Sequence, residues 1–402
     1  MKKNKWIKLR HSIVRNVAYL IMYPYSKVKY GITIDKFKNQ EKRPYLVLYN
    51  HQTAYDQFFV GMALKGSVYY LATEDIFSLG FLSSIIRCLV APIPIKKQTL
   101  DVSAIKTCIR VAKEGGTIAI APEGNRTFSG KTEYINPAIA SLAKKLGLPI
   151  ILYRIEGGYG VHPRWSDVVR KGRMRTKIAE VIMPEEYAEL SKEELAKRIN
   201  KGLYVDEANA DNSFFHKKSA EYLERALYVC PHCGLSTFYS DKDRIRCEKC
   251  EREIRFNPDT SLEGIGFDLK FPFVAQWYDY QKDYINNLDV TRLTDKPVYT
   301  EDVSLFDVIV YKKKVLREKN ARISLYGDRI VVKENESSTL EFTFDEIGAV
   351  TILGKNKLNI YTDDNVYQIK GSKRFNALKY VHIYNRYLNI KSGNENEVFL
   401  GM

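Results

Sequence analysis

The sequence predicts an α/β domain with a mostly parallel sheet flanked by helices, then a four-cysteine metal module, then a small β-rich domain closed by a helix. Three observations carry this. Between Pro44 and about Glu180, short apolar runs alternate with stretches of helical periodicity, and strands separated by helices imply parallel pairing. Cys230, Cys233, Cys247 and Cys250 fall into two Cys-x2-Cys pairs. Beyond residue 300 apolar runs follow one another with only turn residues between them.

The 402 residues, 45% hydrophobic and 28% charged, exclude disorder as the dominant state and give length for two or three domains. A net charge of +15 favours an anionic partner: nucleic acid, an anionic membrane surface, a phosphorylated substrate or an acidic carrier protein. Charged residues interrupt every apolar run before the ~18–20 residues a spanning helix needs. No transmembrane span is expected, and the N-terminus does not read as a secretory signal. Paired cysteines in such a chain point to metal in a reducing cytoplasm rather than to disulfides.

Residues 1–43 carry 12 Lys or Arg and two acids, Asp35 and Glu41. Trp6, Leu9, Ile13, Val17 and Leu20 recur at spacings of three and four, which makes a basic amphipathic helix. Two fates are open to it: packing on the next domain or lying in a membrane interface. In the α/β domain, 44–183, strands are expected at Tyr45 to Tyr49, Val68 to Ala72, Ala91 to Ile95, Thr117 to Ala121 and Pro149 to Ile155. Its ligands should sit beyond the strand ends.

A charged helical connector is expected over 184–228, where Ser191 and Glu194 are spaced as a capping box. The cysteine module occupies 229–257. In the last domain, 300–391, Ile323 to Leu325, Ile330 to Val332, Leu340 to Phe344, Val350 to Leu353, Leu358 to Tyr361 and Val366 to Ile369 read as strands. Gly327-Asp328, Lys355-Asn356 and Asp363-Asp364-Asn365 read as turns, and Phe375 to Leu388 as a closing helix. Such a domain resembles the pleckstrin-homology (PH) architecture.

Two segments carry chemistry. In Asn50-His51-Gln52-Thr53-Ala54-Tyr55-Asp56 the imidazole stands at a strand end. Residues five apart on one helix point away from each other, so His51 meets Asp56 only if His51 waits in the loop and Asp56 opens the helix, here with Thr53 as N-cap. The carboxylate then holds one ring nitrogen and frees the other as a base. A second His-x4-Asp, His162 and Asp167, follows the Gly-rich run Glu156-Gly157-Gly158-Tyr159-Gly160 and is the competing copy. The other segment, Ala121-Pro122-Glu123-Gly124-Asn125-Arg126-Thr127, places a tight turn and a guanidinium at a strand end, which suits a phosphate. Glu123 is free in this scheme to accept from hydroxyls or to fix Arg126, and Asn125 and Thr127 add neutral donors.

Asn-His-x4-Asp, then Pro-Glu-Gly-x-Arg-Thr about seventy residues later, then Leu148-Pro149-Ile150-Ile151, together resemble the PlsC family of glycerolipid acyltransferases over roughly residues 30–190. The resemblance implies that His51 and Asp56 are the catalytic pair and that Glu123, Gly124 and Arg126 contact the glycerol phosphate of the acceptor. The family's second block is poorly matched by Ala91-Pro92-Ile93-Pro94-Ile95-Lys96-Lys97, where Lys97 stands for Arg. Lysine keeps the charge but loses the bidentate fork. The substrate-binding set is therefore Glu123, Gly124, Asn125, Arg126, Thr127 and Lys97.

The expected reaction moves a fatty acyl chain from acyl-CoA or acyl carrier protein to the hydroxyl of a lysophosphatidate-like acceptor, forming phosphatidate at the cytoplasmic face of the cell membrane. Another lysophospholipid, a glycolipid or a lipid-linked acceptor is the alternative within enzymes, and a non-catalytic membrane-associated scaffold is the alternative outside them. Cys88 and Cys108 read as buried small hydrophobes. The four paired cysteines suit structural Zn²⁺ at ~2.3 Å, with no position left open for chemistry, and His232 faces solvent. Partners are an anionic membrane surface, a lysophospholipid acceptor and, as a further candidate, acyl carrier protein. Without aromatic and basic interleaving around the cysteines, no nucleic acid is expected.

Overall fold

Apolar residues in unbroken runs make strands that must be covered on both faces, and this is how the first half of the chain is built. The computed structural model describes residues 5–38, 40–41, 43–95, 102–209, 212–309, 312–394 and 400–401. They fall into two units, one of residues 1–164 and 169–215, the other of 165–168 and 216–402.

In the first unit the strands are β1 (Ile32–Ile34), β2 (Leu46–Tyr49), β3 (Val68–Thr73), β4 (Ile93–Ile95), β5 (Thr117–Ile120), β6 (Ile150–Glu156) and β7 (Met174–Ile182). They form one sheet in the order β1-β7-β6-β2-β5-β3-β4. Every pairing is parallel except β6 with β7. The helices are α1 (Leu9–Tyr30), α2 (Asp56–Ala63), α3 (Glu74–Phe77), α4 (Phe81–Val90), α5 (Val102–Lys113), α6 (Ala138–Leu146), α7 (Gly158–Val161), α8 (Pro184–Ala188) and α9 (Lys192–Leu203).

Alternate residues of each strand feed two cores. Leu46 and Leu48 of β2, Ile118 and Ile120 of β5 pack with Cys108 and Val111 of α5, Ala143 of α6, and Leu195 and Ile199 of α9. Val47 and Tyr49, Ala119 and Ile151 face the opposite way, onto Tyr30 of α1 and Phe59 and Val60 of α2. The five expected strands all form, and the Ser191–Glu194 capping box closes as read, with the Glu194 amide on Ser191 Oγ at 3.1 Å. Residues 184–215 are part of this unit, since Tyr187, Leu195 and Leu203 lie in its core; they do not act as a free-standing connector.

The second unit holds the hairpin β8 (Val229–Cys230) and β9 (Gly234–Leu235), and the four-stranded antiparallel sheet β10 (Phe238–Asp241), β11 (Arg244–Cys247), β12 (Glu253–Phe256) and β13 (Leu262–Gly264). Helix α10 (Val274–Asn286) follows. Then come β14 (Tyr299–Ile309), β15 (Lys313–Leu325), β16 (Arg329–Lys333), β17 (Thr339–Thr343), β18 (Ala349–Leu353), β19 (Lys357–Tyr361), β20 (Val366–Gly371) and the closing helix α11 (Leu378–Lys391). These seven strands form one antiparallel sheet ordered β17-β16-β15-β14-β20-β19-β18. Cysteine module and β-rich sheet are joined: Trp277 Nε1 of α10 donates to Val229 O at 2.8 Å and Gln281 Oε1 accepts from Tyr228 N at 2.7 Å, while Tyr278 of α10 meets the His382 ring of α11 at 6.0 Å and Tyr299 OH of β14 donates to Tyr228 O at 3.2 Å.

Candidate functional site

Strands β6, β2 and β5 are neighbours and parallel, so the loops leaving their C-terminal ends open side by side. That is where a ligand meets such a sheet. The β2 loop delivers His51, the β5 loop delivers Glu123 to Thr127, and the β6 loop runs through Gly157 to Arg164.

Asp56 opens α2, two residues later than a Thr53 N-cap would have it, because Thr53 and Tyr55 spend their polar groups in the turn. The Tyr55 amide donates to Thr53 Oγ1 at 3.1 Å, and Thr53 Oγ1 donates to Asp56 Oδ1 at 2.6 Å. Leaning back over the helix start, the Asp56 carboxylate accepts from the amides of Gln52 (2.6 Å) and Thr53 (2.9 Å) and from His51 Nδ1 at 2.8 Å. Asp56 is fully buried. The ring is thus fixed through Nδ1, leaving Nε2 for chemistry. Burial lowers the His51 pKa below its usual value, and the charges of Arg126 and Arg164 add to this against the pull of Asp56, which favours the neutral imidazole.

The main chain around His51 is held from two further directions. Asn50 spans from β2 to β6, donating to Ile155 O at 2.8 Å and accepting from Ile155 N at 2.7 Å. The Thr127 amide donates to His51 O at 3.1 Å, and Glu123 Oε1 accepts from His51 N at 2.6 Å.

Gly124 closes the expected turn, its amide on Ala121 O at 3.0 Å, with a φ of 69° that favours glycine. Among the described residues, Arg126 Nη1 is buried without a hydrogen-bond partner. Burial lowers its pKa while nearby Asp56 raises it. Two residues expected to meet substrate are otherwise engaged. Glu123 gives its second oxygen to the Glu133 amide at 2.7 Å; burial raises its pKa, and the amides of Glu133 and His51 act against this by stabilising the carboxylate. Thr127 Oγ1 accepts from the amides of Ser129 and Gly130. Asn125 is buried. Lys97 lies outside the described residues.

Arg164 was not singled out by its sequence context. It is buried, donates to Arg126 O at 3.0 Å and stacks on the Phe128 ring at 4.3 Å. The glycines of its loop are explained by packing: a Cβ at Gly158 would stand 2.6 Å from Gln52 Cβ, and one at Gly160 would overlap the Phe214 ring. In the competing His-x4-Asp copy both residues have other partners. His162 packs its ring on Tyr30 at 6.0 Å, whereas Asp167 belongs to the second unit and takes Arg225 at 2.8 Å and Lys355 at 3.0 Å.

A family model described as Acyltransferase matches residues 32–155. Residues 32–155 are thus similar to an acyltransferase domain. Two curated relatives are the chloroplastic 1-acyl-sn-glycerol-3-phosphate acyltransferase LPAT1 of Arabidopsis thaliana, 23% identical over 42% of this chain and 48% of its own length, and the 1-acyl-sn-glycerol-3-phosphate acyltransferase of Bacillus subtilis (strain 168), 25% identical over 40% of this chain and 80% of its own. The chain thus spans about half of the plant relative. A crystal structure of the 1-acyl-sn-glycerophosphate acyltransferase PlsC from Thermotoga maritima aligns over 47% of this chain and 78% of its own, at 22% identity and a TM-score of 0.40. His51, Asp56, Glu123 and Arg126 all fall inside the matched residues.

Outside the cleft, α1 packs the reverse of what an amphipathic helix on a soluble core would do. Three of its polar residues face inward: His11 Nδ1 meets Tyr69 OH at 3.1 Å, Ser12 meets Ser67 at 3.0 Å, and Arg15 donates to Gly61 O at 3.1 Å. Its apolar stripe faces outward, with Leu9 80%, Leu20 72% and Val28 87% exposed. Helix α4 adjoins it through Arg10 Nε on Cys88 O at 2.7 Å and adds Phe81, 82% exposed, with Leu82, Leu89 and Val90. Cys88 is itself exposed, contrary to expectation, because α4 turns this face away from the core; Cys108 is buried as expected. Among the described residues no helix is long and apolar enough to cross a membrane.

In the second unit the sulfurs of Cys230, Cys233, Cys247 and Cys250 lie within 4.8 Å of one another, Cys230 and Cys250 at 3.8 Å. A tetrahedron with ~2.3 Å bonds has edges of about 3.8 Å, so the four sulfurs fit Zn²⁺. The His232 amide donates to Cys230 Sγ at 3.5 Å while its ring is exposed, outside the cluster.

Proposed function

We propose that this protein is a membrane-bound O-acyltransferase that esterifies the free hydroxyl of a 1-acylglycerol 3-phosphate, yielding phosphatidate. The observation that carries it is the 2.8 Å contact of His51 Nδ1 with Asp56, beside the Arg126 loop at the ends of three adjoining strands. The names of the plant and Bacillus relatives support the acceptor.

Chemically, the acceptor hydroxyl gives its proton to His51 Nε2 as its oxygen bonds to the thioester carbonyl carbon. Asp56 stabilises the imidazolium that forms. The carbon–sulfur bond then breaks and the leaving thiolate takes the proton from His51, so no acyl-enzyme forms. Either acyl-CoA or acyl carrier protein can supply the thioester. Arg126 would bind the acceptor phosphate through a charge-assisted bond, and Lys97 would add a second positive charge.

The outward apolar stripe of α1, joined by α4 and flanked by lysines, would lie in the interface of an anionic bilayer without spanning it. That brings the cleft to a lipid substrate. Cys230, Cys233, Cys247 and Cys250 would hold a structural Zn²⁺, which supplies folding energy to the second unit and takes no part in the acyl transfer.

The test is purified full-length protein in anionic vesicles, given labelled acyl-CoA or acyl carrier protein with lysophosphatidate, other lysophospholipids and monoacylglycerol. Label in phosphatidate, lost in His51→Ala with the fold retained, is expected. No transfer to any acceptor would leave a membrane scaffold as the better account.

A further inference from the structure

We propose that Glu123 is a positioning residue that clamps the main chain of His51, and not a contact for the acyl acceptor. The proposal rests on the acyl-transfer function above.

His51 stands between the last residue of β2 and the first turn of α2, where neither a sheet ladder nor a helix satisfies its peptide groups. A buried N–H in that position must find a partner. It finds the Glu123 carboxylate at 2.6 Å, and the His51 carbonyl finds the Thr127 amide at 3.1 Å. Both polar groups of the residue are therefore held by one loop. The same carboxylate reaches the Glu133 amide at 2.7 Å through its other oxygen, while the Glu133 side chain accepts from Thr127 Oγ1 at 3.2 Å. Loop residues 123 to 133 are closed on themselves with His51 held at their edge.

Each oxygen of Glu123 already accepts a short amide bond, and the residue is only 5% exposed. Little of it remains for a hydroxyl of the acceptor. Main chain and ring of His51 are thus fixed by separate segments, the ring by Asp56 of α2 and the backbone by the loop after β5. Losing the backbone clamp leaves the Asp56 bond possible but lets the base wander, and a displacement of ~1 Å in a reacting group can cost ~10²-fold in rate.

The experiment compares Glu123→Gln with Arg126→Ala in full-length protein. A glutamine of the same size accepts one amide and turns its NH₂ against the other. Its expected signature is kcat lower by ~10²-fold with the lysophosphatidate KM within about threefold of wild type, whereas Arg126→Ala should raise KM. A raised acceptor KM with kcat unchanged in Glu123→Gln would overturn the proposal. Amide hydrogen exchange over residues 49–53 is the second measurement, independent of turnover: it should speed up in Glu123→Gln, or in Glu123→Asp if the glutamine variant does not fold. Unchanged exchange there also overturns it. Wild-type protein inactive on every acceptor counts against the function proposed above, while the exchange result still decides the clamp.

Discussion

His51 Nδ1 lies 2.8 Å from Asp56 Oδ2, and the same oxygen takes the Gln52 amide at 2.6 Å. One carboxylate therefore ties down the turn that leads into α2 and sets the orientation of the imidazole. Substitution separates the two duties. His51→Ala removes the base alone and should lower turnover by roughly 10²–10⁴-fold with little effect on the melting temperature. Asp56→Asn should lower turnover by a similar factor and also destabilise the fold by about 1 kcal/mol, since an amide NH₂ cannot accept from the buried donors of the turn that the carboxylate serves. Steady-state kinetics with thermal melts checks both.

The charges around the ring set the pH profile. Burial lowers the His51 pKa below 6.5, Asp56 raises it, and Arg126 and Arg164 lower it further; buried Glu123 is on its main chain and the Tyr49 ring is 6.2 Å away. Because the base must be neutral, kcat/KM should be level at neutral pH and fall as the pH drops through a value below 6.5. Arg164→Gln removes a positive charge, so the acid limb should move to higher pH. A limb unmoved in that variant would mean that Arg164 serves only to support the Arg126 carbonyl.

The two His-x4-Asp copies should respond oppositely. Burial raises the Asp167 pKa, but Arg225 and Lys355 outweigh it and bring it down to about 2. A depressed carboxylate contributes stability above its unfolded pKa and loses it as the pH falls toward 2. Asp167→Asn leaves Arg225 buried without its carboxylate, so the second unit should lose on the order of 1–3 kcal/mol with turnover near wild type. Loss of turnover at full stability in this variant would make Asp167 part of the chemistry.

How far the sequence reaches depends on whether local pattern or distant packing decides an element. Strands β2, β5 and β6 were legible because both of their faces are buried, which leaves uninterrupted apolar runs. Strands β1 and β7 were not: β7 is Met174–Ile182, with Arg175, Lys177 and Glu180 between its apolar residues, and it pairs antiparallel to β6 at the side of the sheet. Of the long hairpin of β14 and β15 only the end, Ile323 to Leu325, was read as strand; β14 was missed, and the charged first part of β15, Lys313 to Asn320, carries no strand-like alternation. At the site, His51 and Asp56 were legible from spacing and context. The engagement of Glu123 and Thr127 was not, because it depends on main-chain groups that a sequence motif does not name. Arg164 escaped for the same reason: its role comes from stacking on Phe128, 36 residues earlier.

Four sulfurs within 4.8 Å predict one zinc per chain, measurable by elemental analysis of purified protein. Cys247→Ser should abolish it, and the second unit should unfold or melt far lower, because structural zinc supplies apparent binding energies of about 10–16 kcal/mol in small zinc modules. His232→Ala should retain the metal, its ring being exposed. A zinc content that follows His232 instead would change the ligand set.

Membrane attachment is the last test. A helix that turns His11, Ser12 and Arg15 inward and Leu9, Leu20 and Val28 outward would waste its apolar face in water. Burying a leucine is worth ~1.5–3 kcal/mol, so Leu9→Glu with Leu20→Glu should reduce partition into anionic vesicles by at least about tenfold. Phe81→Glu should act in the same direction through α4. The lysines contribute through long-range attraction, which salt screens, so raising ionic strength should weaken binding less than the leucine changes do. Turnover on a short-chain, water-soluble acceptor should survive all three substitutions, since none touches the loops that hold His51 and Arg126. If vesicle binding is unaffected by the leucine changes, the stripe covers some other surface, and the lipid substrate reaches the cleft by another route.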